Sequence, residues 1–498
     1  MDLYIKRDIP DPRAPKIVGF DTELMNVNPA KDDAGFSASR ALLREVSGCS
    51  ANLPGSLQDS GRKFLPGSGG SIYIDLNHLE LASPECRSAV DFMTWFHAML
   101  GIAREATQAA NHDRLEERKL RVHANNSDGL GNAWGGHVSV MLSDSAYQWI
   151  FFERLHLQLY LASAQISSII FTGAGEVGTE KGRNKVPFSI SQRAGFMEVM
   201  SSIETTRNRP LVNTRDERLA GVGLSRLHCI FHDTTLTHTS LVMKAGLMQI
   251  FLASIEAGRD DPGLCFEEPL VALRTFNTDP SLQAKARLLN GQQVTAVEHQ
   301  MLLLEGATKL LDGGGEAYIP GLAELLALWE RLLQAFRDED RDFLFPRVDW
   351  IAKHAVLNRA ASARGLAFSE PSMKALDFAW SDLENGIYFD LERSKSVERL
   401  ASQHHIAHAE KSAPADTRAY PRSRLIRAFG GRGGVSIDWH RVVVGRGNRK
   451  RAVVRLPDPG AGRQQFGDLD GLTEHELAAT LGVTIEPDKW FFSVLNTR

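Results

Sequence analysis

Two acidic side chains near the start of the chain could hold a divalent cation. Asp21 and Glu23 stand two residues apart in KIVGFDTELM (residues 16–25), a segment that predicts a strand. Successive side chains of a strand alternate between its faces, so both carboxylates project from the same face. Carboxylate oxygens at this spacing suit a hard cation. The alternative is a solvated strand edge, because charged residues are mostly exposed.

A denser polar cluster occupies residues 73–85, YIDLNHLELASPE, within a second predicted strand at residues 71–81. Alternation predicts that Ile72, Ile74 and Leu76 face the core, whereas Tyr73 and Asp75 face a cleft. Because a buried acid is costly unless it is paired or binds a cation, the cluster indicates a site. An edge strand with one wet face is the alternative.

Glu80 belongs to the same cluster, but strict alternation places its side chain on the face opposite Asp75. Both residues can serve one site only if a bulge or a strand end lies between them.

Two further segments carry groups that could bind phosphate. His137 follows the Gly-rich turn NNSDGLGNAWGG (residues 125–136), where backbone N–H groups can approach phosphate oxygens. Arg215 lies in NRPLVNTRDE (residues 208–217), and an arginine fork suits bidentate phosphate recognition. The alternatives are a structural histidine on a strand and a salt-bridged surface loop.

Other patterns exclude sites. Residues 173–178 match GxGxxG, but the following TEKGRNK does not begin a helix, which excludes a dinucleotide site. His228 and His232 lie in a predicted strand, where four residues span about 13 Å, too far for one metal ion. The histidines of HHIAH (residues 404–408) lie in a polar, helix-like stretch and are expected to be solvated.

Composition is that of a globular protein. The chain has 498 residues, 43% hydrophobic and 24% charged, which excludes a disordered or fibrous protein. Its four scattered cysteines lack CxxC spacing, so neither a disulfide framework nor a thiolate zinc site is indicated. No apolar run reaches membrane length and the amino terminus lacks a signal-peptide core, so we expect a cytoplasmic protein with no membrane partner.

The elements that position these residues predict an α+β fold, a largely antiparallel sheet backed by helices. Beyond the two strands above, strands are predicted at residues 137–142, 167–173, 186–191 and 227–233. The clearest helices are predicted from Glu85 to about Ala110, at residues 239–256 and at residues 322–336. The polar segment after residue 25, with one helical patch (SASRALLREV), is expected to form an active-site loop or lid.

A charge shift marks the tail. Residues 418–455 contain eleven Lys or Arg and one acidic residue, so this segment carries +10 and the rest −14, for a formal net charge of −4. We expect a small C-terminal domain to begin near residue 415. Its basic strings GGRGG and GRGNRKR could clamp nucleic acid, but few aromatic residues accompany them and nucleic acid is not the expected partner.

Taken together, several ordered motifs resemble those of the Pup ligase and Pup deamidase/depupylase family, relatives of glutamine synthetase and the carboxylate-amine ligases. The motifs are GFDTE, YIDLNHLELASPE, NNSDGLGNAWGGH, FSISQRAGFMEV, ETTRNRPLVNTRDE, RVDWIAK, DWHRVVV and VVRLPDP, spread over residues 17–460. The resemblance implies a glutamine synthetase-like fold with ATP and magnesium in the cradle of a curved antiparallel sheet. It implies a catalytic domain over residues 1–414 and a small C-terminal domain over residues 415–498 that completes the site.

The resemblance also implies roles for individual side chains. Asp75 resembles the family's catalytic aspartate, which takes a proton from the attacking lysine in a ligase and attacks, or activates water, at the amide in a depupylase. The remaining implied roles are magnesium binding by Asp21, Tyr73 and Glu80 with Glu23 beside them, and nucleotide contact by Ser83 and Trp439. By residue type, Arg215 is expected to contact a phosphate, and His137 could touch a phosphate or ligate a metal. The implied partners are a small Pup-like modifier and its conjugated proteins.

The branch of the family stays open. FSISQRAGFMEV, ETT and the spacing of DLNHLE are nearer to the depupylase, whereas the 51 residues between Glu23 and Asp75 leave little room for the insertion that depupylases carry there. The sequence also departs from the family at Ser71, Leu79, Leu81, Val138 and Ser139, changes expected to strip polar groups from the site. A hydrolase is the leading hypothesis; a ligase and a nucleotide-binding homologue with faded activity are the alternatives.

Overall fold

The computed structural model describes residues 14–31, 33–51, 60–178, 186–430, 435–444, 451–482 and 484–486. The strands are β1 Val18–Val27, β2 Cys49–Ser50, β3 Ser60–Phe64, β4 Ser71–Asp75, β5 His78–Ala82, β6 Arg121–His123, β7 Gly136–Ser143, β8 Glu176–Val177, β9 Phe188–Ser189, β10 Met197–Ser202, β11 Arg209–Asn213, β12 Leu224–Cys229, β13 Ala286–Arg287, β14 Gln293–Val294, β15 Val435–Asp438, β16 Arg441–Val444, β17 Arg451–Arg455 and β18 Thr484–Glu486.

The helices interleave with these strands and cover the larger part of the chain's middle. They are α1 Phe36–Glu45, α2 Ala89–Asn111, α3 Asp144–Gln148, α4 His156–Thr172, α5 His238–Glu256, α6 Pro269–Asn277, α7 Ala296–Asp312, α8 Leu322–Arg337, α9 Arg341–Leu344, α10 Asp349–Arg364, α11 Pro371–Ala379, α12 Ile387–Arg393, α13 Gln403–Lys411, α14 Ala419–Phe429, α15 Arg463–Phe466 and α16 Glu474–Thr480. Within the described ranges, no helix is both long enough and apolar enough to cross a bilayer.

The main sheet has the strand order β12-β7-β1-β5-β4-β3-β2, and each neighbouring pair is antiparallel. The short strand β6 also pairs with β1. A mostly antiparallel sheet with many helices confirms the predicted α+β class.

Strand β1 is an interior strand of this sheet, and its side chains alternate between the two faces. Phe20 points to the core, where its ring meets the rings of Phe92 and Phe96 on α2 at 5.3 and 5.2 Å. Asp21 and Glu23 therefore project from the other face, as the alternation of β1 predicts. Helix α2 starts with a capping box formed by Ser88 and Asp91, which satisfies backbone N–H groups at its first turn.

Most predicted elements are confirmed, and one is wrong. Helices α2, α5 and α8 match the predictions, but residues 167–173 were expected as a strand and instead end helix α4. That helix is buried all round, so its apolar run of β-branched residues lacks the periodicity that distinguishes a helix from a buried strand. The strand predicted at 186–191 shortens to β9, and the one predicted at 227–233 is displaced toward the amino terminus, as β12 at Leu224–Cys229.

The polar segment after β1 is more regular than a loop or lid. It contains α1, β2 and β3, and the last two strands extend the edge of the main sheet. Residues 32 and 52–59 of this segment lie outside the described residues, as do TEKGRNK and almost all of the basic strings GGRGG and GRGNRKR.

A second core forms around α14 and the four-stranded sheet β15-β16-β17-β18. It also includes Ala51 and Phe64 from the earlier part of the chain, and Phe64 packs against Trp439 with ring centroids 5.2 Å apart. The main sheet thus supplies part of this core. The domain division near residue 415 stays a prediction.

A buried ion cluster joins the two cores. Glu85, just after β5, accepts hydrogen bonds from Arg418 Nε at 2.6 Å and from Arg422 Nη1 and Nη2 at 3.0 and 2.6 Å. Arg422 is fully buried and also donates to the carbonyl oxygens of Gly69 and Trp439. Burial opposes ionisation of Glu85, but the charges of Arg422 and Arg418 outweigh it and lower the pKa of Glu85 to about 2.

Replacement of Glu85 by alanine should destabilise the protein strongly, because it leaves two buried guanidinium groups without their carboxylate. We expect the free energy of unfolding to fall by about 3–5 kcal/mol, measured by urea denaturation. Glu116→Ala is the matched control: its ion pair with Lys119 has the same 2.6 Å length but is exposed to solvent, which screens it, so its loss should have a much smaller effect on the free energy of unfolding. Equal effects of the two substitutions would contradict this role of Glu85.

Candidate active site

A row of polar side chains crosses three neighbouring strands of the main sheet. Glu23 on β1 lies directly opposite Glu80 on β5, and Glu80 lies directly opposite Tyr73 on β4. Directly opposed residues of antiparallel strands share a face of the sheet, and like charges in such a pair repel. Tyr73 donates a hydrogen bond to Glu80. The two glutamates therefore need a positive partner between them.

A turn of the chain between β4 and β5 brings Asp75 to the same face of the sheet as Glu80. The predicted strand 71–81 is a hairpin, in which Leu76 and Asn77 form the turn between β4 and β5. The reversal removes the face conflict between Asp75 and Glu80, and it corrects the expectation for Leu76, which is 46% exposed at the cavity wall.

One ligand oxygen from each of three carboxylates lies within 4.8 Å of the other two: Glu23, Asp75 and Glu80. Burial, and then the negative charges of Glu23 and Asp21, raise the pKa of Glu80 well above its usual range. Glu80 Oε2 is buried and has no hydrogen-bond partner among the described residues. A buried, unsatisfied carboxylate oxygen beside two others fits a bound divalent cation.

Asp21 lies beside this group rather than within it. It faces His137 directly across the β1–β7 pair, and burial raises its pKa while the charges of Arg226 and Arg62 lower it. The ring of His137 contacts the ring of His228 on β12, with centroids 4.9 Å apart. Burial lowers the pKa of both histidines well below the usual range, so both imidazoles are neutral near pH 7.

These side chains line one cavity of about 420 Å³. Of the residues predicted for the site, it brings together Asp21, Glu23, Tyr73, Asp75, Glu80, His137, Arg215 and Trp439. Ser83 lies in an adjoining cavity of about 100 Å³, which shares Asp21 and Trp439 with the larger one. Ser83 Oγ accepts a hydrogen bond from the backbone N–H of Phe20 at 2.9 Å, which fixes it beside β1.

The cavity also contains residues that the sequence did not single out as site residues: Arg62, Arg193, Arg209, Arg226 and His228. The strings SQRAG, NRP and RLH, which stand beside the recognised motifs, could have signalled all of these except Arg62. Arg62 lies in no such motif.

The arginines of the cavity differ in the groups to which their guanidinium groups donate hydrogen bonds. Arg193 is buried and donates to the backbone carbonyls of Ile230 and Trp134, and Arg209 donates to the carbonyls of Ala133 and Thr205. Neutral carbonyl oxygens do not cancel the charge of a guanidinium, so both groups bring positive charge near Glu23, and this charge opposes the rise in the pKa of Glu23 that burial causes.

Arg226 and Arg215 instead lie close to the carboxylate of Glu217. Arg226 pairs with Glu217 at 2.9 Å, and Arg215 lies 3.7 Å from the same carboxylate. Glu217 therefore competes with any anionic ligand for these two guanidinium groups.

Three of the five departures from the family pattern point away from the cavity. Leu79, Leu81 and Val138 are fully buried on the core face of their strands. They remove no polar group from the site, which corrects the expectation from the sequence. Ser139 lines the smaller cavity and its hydroxyl lies 3.2 Å from His228 Nδ1. Ser71 accepts a hydrogen bond from Arg62 at 3.2 Å.

Comparison with known proteins assigns the family. A sequence profile described as Pup-ligase protein matches residues 13–443. The chain belongs to this family. The Pup deamidase/depupylase of Mycobacterium tuberculosis is 30% identical over 443 residues, covering 86% of this chain and 83% of that protein. The Pup–protein ligase of a Nocardioides species is 31% identical over 382 residues, covering 75% and 82%.

Solved structures of the Pup-ligase family agree. The Pup ligase PafA in complex with ADP matches at 26% identity with a TM-score of 0.70, over 81% of this chain and 87% of that one. The complex between Pup and PafA matches at a TM-score of 0.77 over 94% and 91%, and its 24% identity shows the fold. The family and fold predicted from the motifs are confirmed, and with them an enzyme of the Pup ligase/depupylase type.

The acidic row predicts how stability depends on pH. Burial raises the pKa of Glu23 from 4.5 to about 7, so between these values the folded protein holds a proton that the unfolded chain has released. Without metal, the free energy of unfolding should therefore fall as pH rises through this window, by up to about 1.4 kcal/mol per pH unit for one group.

Because a cation binds the ionised form, Mg²⁺ should raise the unfolding temperature more at about pH 8 than at about pH 5, measured by differential scanning fluorimetry. Glu23→Gln should reduce both the pH slope and the magnesium effect, and the exposed control Glu117→Gln should leave both unchanged. Equal stabilisation by Mg²⁺ at the two pH values would contradict a cation bound by these carboxylates.

Proposed function

We propose that this chain is an ATP- and Mg²⁺-dependent enzyme that hydrolyses the side-chain amide or isopeptide bond at the C-terminal residue of a small Pup-like modifier. The observation that carries the proposal is the convergence of Glu23, Asp75 and Glu80, with ligand oxygens within 4.8 Å of one another. The names of the relatives support the substrate, and the ADP complex of PafA supports the nucleotide. A cytoplasmic location stays a prediction.

The residues of the row would hold the metal, and the cavity walls would hold the nucleotide. Bound Mg²⁺ would neutralise phosphate charge and polarise a phosphoryl or carboxyl oxygen. The proposed magnesium ligands are Glu23, Tyr73 and Glu80 of the row, with Asp21 beside it. The proposed nucleotide contacts are Ser83, Arg215, Trp439 and His137.

Asp75 is the proposed catalytic residue. It ends β4 next to the hairpin turn, at the wall of the larger cavity, where a substrate can reach its carboxylate. As a hydrolase residue it either attacks the amide carbonyl or takes a proton from the water that does so; in both cases an ionised carboxylate performs the step.

The histidine next to Asp75 is held in a defined orientation, which supports the proposed catalytic role of Asp75. His78, the cross-strand partner of Asp75, contacts the carbonyl oxygen of Leu24 through Nδ1 at 3.0 Å and stacks on Trp134 at 4.7 Å. A carbonyl can only accept, so Nδ1 carries the proton, and the ring beside Asp75 is fixed in one tautomer.

A Pup–protein ligase is the second candidate, because a ligase and a depupylase match this chain at nearly the same identity, 31% and 30%. In a ligase Asp75 would take the proton of the attacking lysine. A nucleotide-binding homologue without turnover is less well supported, because the acidic row and Asp75 converge and three of the departures lie in the core.

Product analysis separates the two enzymes. Incubation with ATP, Mg²⁺ and a Pup-conjugated protein should release free modifier, and ADP should not accumulate in proportion to the product, because hydrolysis of an amide needs no phosphoryl transfer in each cycle. One ADP per new isopeptide bond, with free modifier and a lysine-bearing target as substrates, would instead identify a ligase. Intact conjugate in the presence of well-folded enzyme would contradict the hydrolase.

Asp75→Asn should abolish turnover, because the amide keeps the size of the side chain but cannot act as a base or nucleophile. Nucleotide affinity, measured by calorimetric titration with ADP and Mg²⁺, should stay within about threefold of the wild type. The exposed substitution Asp113→Asn is the control and should change neither quantity. Full activity of Asp75→Asn would show that the role assigned to Asp75 is wrong.

A further inference from the structure

Arg62 has a position in the site that no motif assigned. It lies on β3, and its guanidinium carbon is 3.6 Å from the centroid of the Tyr73 ring and 5.9 Å from that of Trp439. Arg62 Nη1 donates to Ser71 Oγ at 3.2 Å. The residue is partly exposed and lines the larger cavity. Its cation thus lies between a residue of the acidic row and the tryptophan shared by both cavities.

A local irregularity of β3 accompanies this position. The register with β4 shifts between Ser60 and Lys63, where three steps along β3 match two steps along β4. Gly61, inside this β-bulge, has φ +70°, the left-handed conformation that glycine adopts without strain. Bulges of this kind next to active sites re-aim a side chain. Here the side chain that follows the glycine is Arg62.

Neighbouring residues of β3 have other tasks. Lys63 points to the opposite face, where Nζ donates to the carbonyl oxygens of Leu43 and Val46 beside α1. Phe64 packs against Trp439. Of these three residues, Arg62 is the one whose head group lines the cavity.

The positions of the proposed nucleotide contacts suggest which ligand Arg62 meets. Ser83 and Trp439, the proposed nucleoside contacts, line the smaller cavity, and the proposed magnesium ligand Glu80 lines the larger one. Phosphates that join the nucleoside to the magnesium would therefore pass Trp439, which lines both cavities. Arg62 lies along that path, because it contacts Trp439 on one side and Tyr73 on the other. A guanidinium held flat against an aromatic ring keeps its N–H donors at the ring's periphery, where they can reach anionic oxygens.

We propose that Arg62 is a nucleotide-binding residue that donates hydrogen bonds to the phosphates of bound nucleotide. This inference rests on the proposed nucleotide site.

Calorimetric titration of Arg62→Ala with ATP, ADP and adenosine in the presence of Mg²⁺ tests the assignment. Loss of a charge-assisted contact should weaken ATP and ADP binding by about tenfold or more. Adenosine has no phosphate, so its affinity should stay within about twofold of the wild type. A residue that only supported the fold of the cavity would lower all three affinities together.

Two variants refine the test. Arg62→Lys keeps the charge but loses the planar group that stacks on Tyr73, so we expect it to recover only part of the ATP affinity. Because Ser71 lies on the same face and within hydrogen-bond distance of Arg62, the double variant Arg62→Ala with Ser71→Arg places a guanidinium in the vacated space. It should bind ATP more tightly than Arg62→Ala alone.

Arg44→Ala is the matched control, because it removes one positive charge from the exposed end of α1 and should leave all three affinities unchanged. Wild-type protein that binds no nucleotide would overturn the proposed function and this inference together. Wild-type nucleotide affinity in folded Arg62→Ala and Arg62→Lys would overturn the assignment of Arg62 alone. Equal losses of affinity for ATP, ADP and adenosine in Arg62→Ala would assign Arg62 to the support of the cavity instead.

Discussion

The repulsion between buried carboxylates is the constraint on which the site depends. Glu23 and Glu80 face each other across two strands, and Asp75 brings a third carboxylate within reach of both. The backbone ladder fixes this spacing, so the charges cannot relax by moving apart. Either protons or a cation must neutralise them. Burial is the main cause of the raised pKa of Glu23 and Glu80, and the charges of Glu23 and Asp21 add to it at Glu80. The same repulsion would favour the binding of a divalent cation between the carboxylates.

The rest of the architecture holds this row rigid. The aromatic contacts of Phe20 with α2 fix one face of β1, and the acids project from the other. On the cavity side, the cluster of Glu85 with Arg418 and Arg422 holds the C-terminal sheet against the exit of β5. Trp439, in the turn between β15 and β16 of that sheet, lines both cavities.

The site therefore combines two opposite electrostatic requirements in about 420 Å³. In the proposed function, the row of acids would bind the cation, and arginines of the same cavity would provide donors for anionic oxygens. This division fits a metal–nucleotide complex, in which the metal and the phosphates are adjacent and opposite in charge. In the proposed function, hydrolysis and ligation would both use Asp75 and the same nucleotide site. The choice between them would then depend on the groups that approach Asp75.

The sequence by itself determined the family, the α+β class, the alternation of β1 and the residue types of the site, because motifs and strand periodicity are local properties. The tertiary structure decided the rest. The segment predicted as one strand at residues 71–81 is a hairpin, which places Asp75 and Glu80 on the same face. The apolar run predicted as a strand at residues 167–173 ends helix α4, because a helix buried on all sides shows no periodicity in its sequence. Arg62 reached the cavity through a bulge on another strand. Contacts between distant segments depend on register and packing, which no local pattern contains.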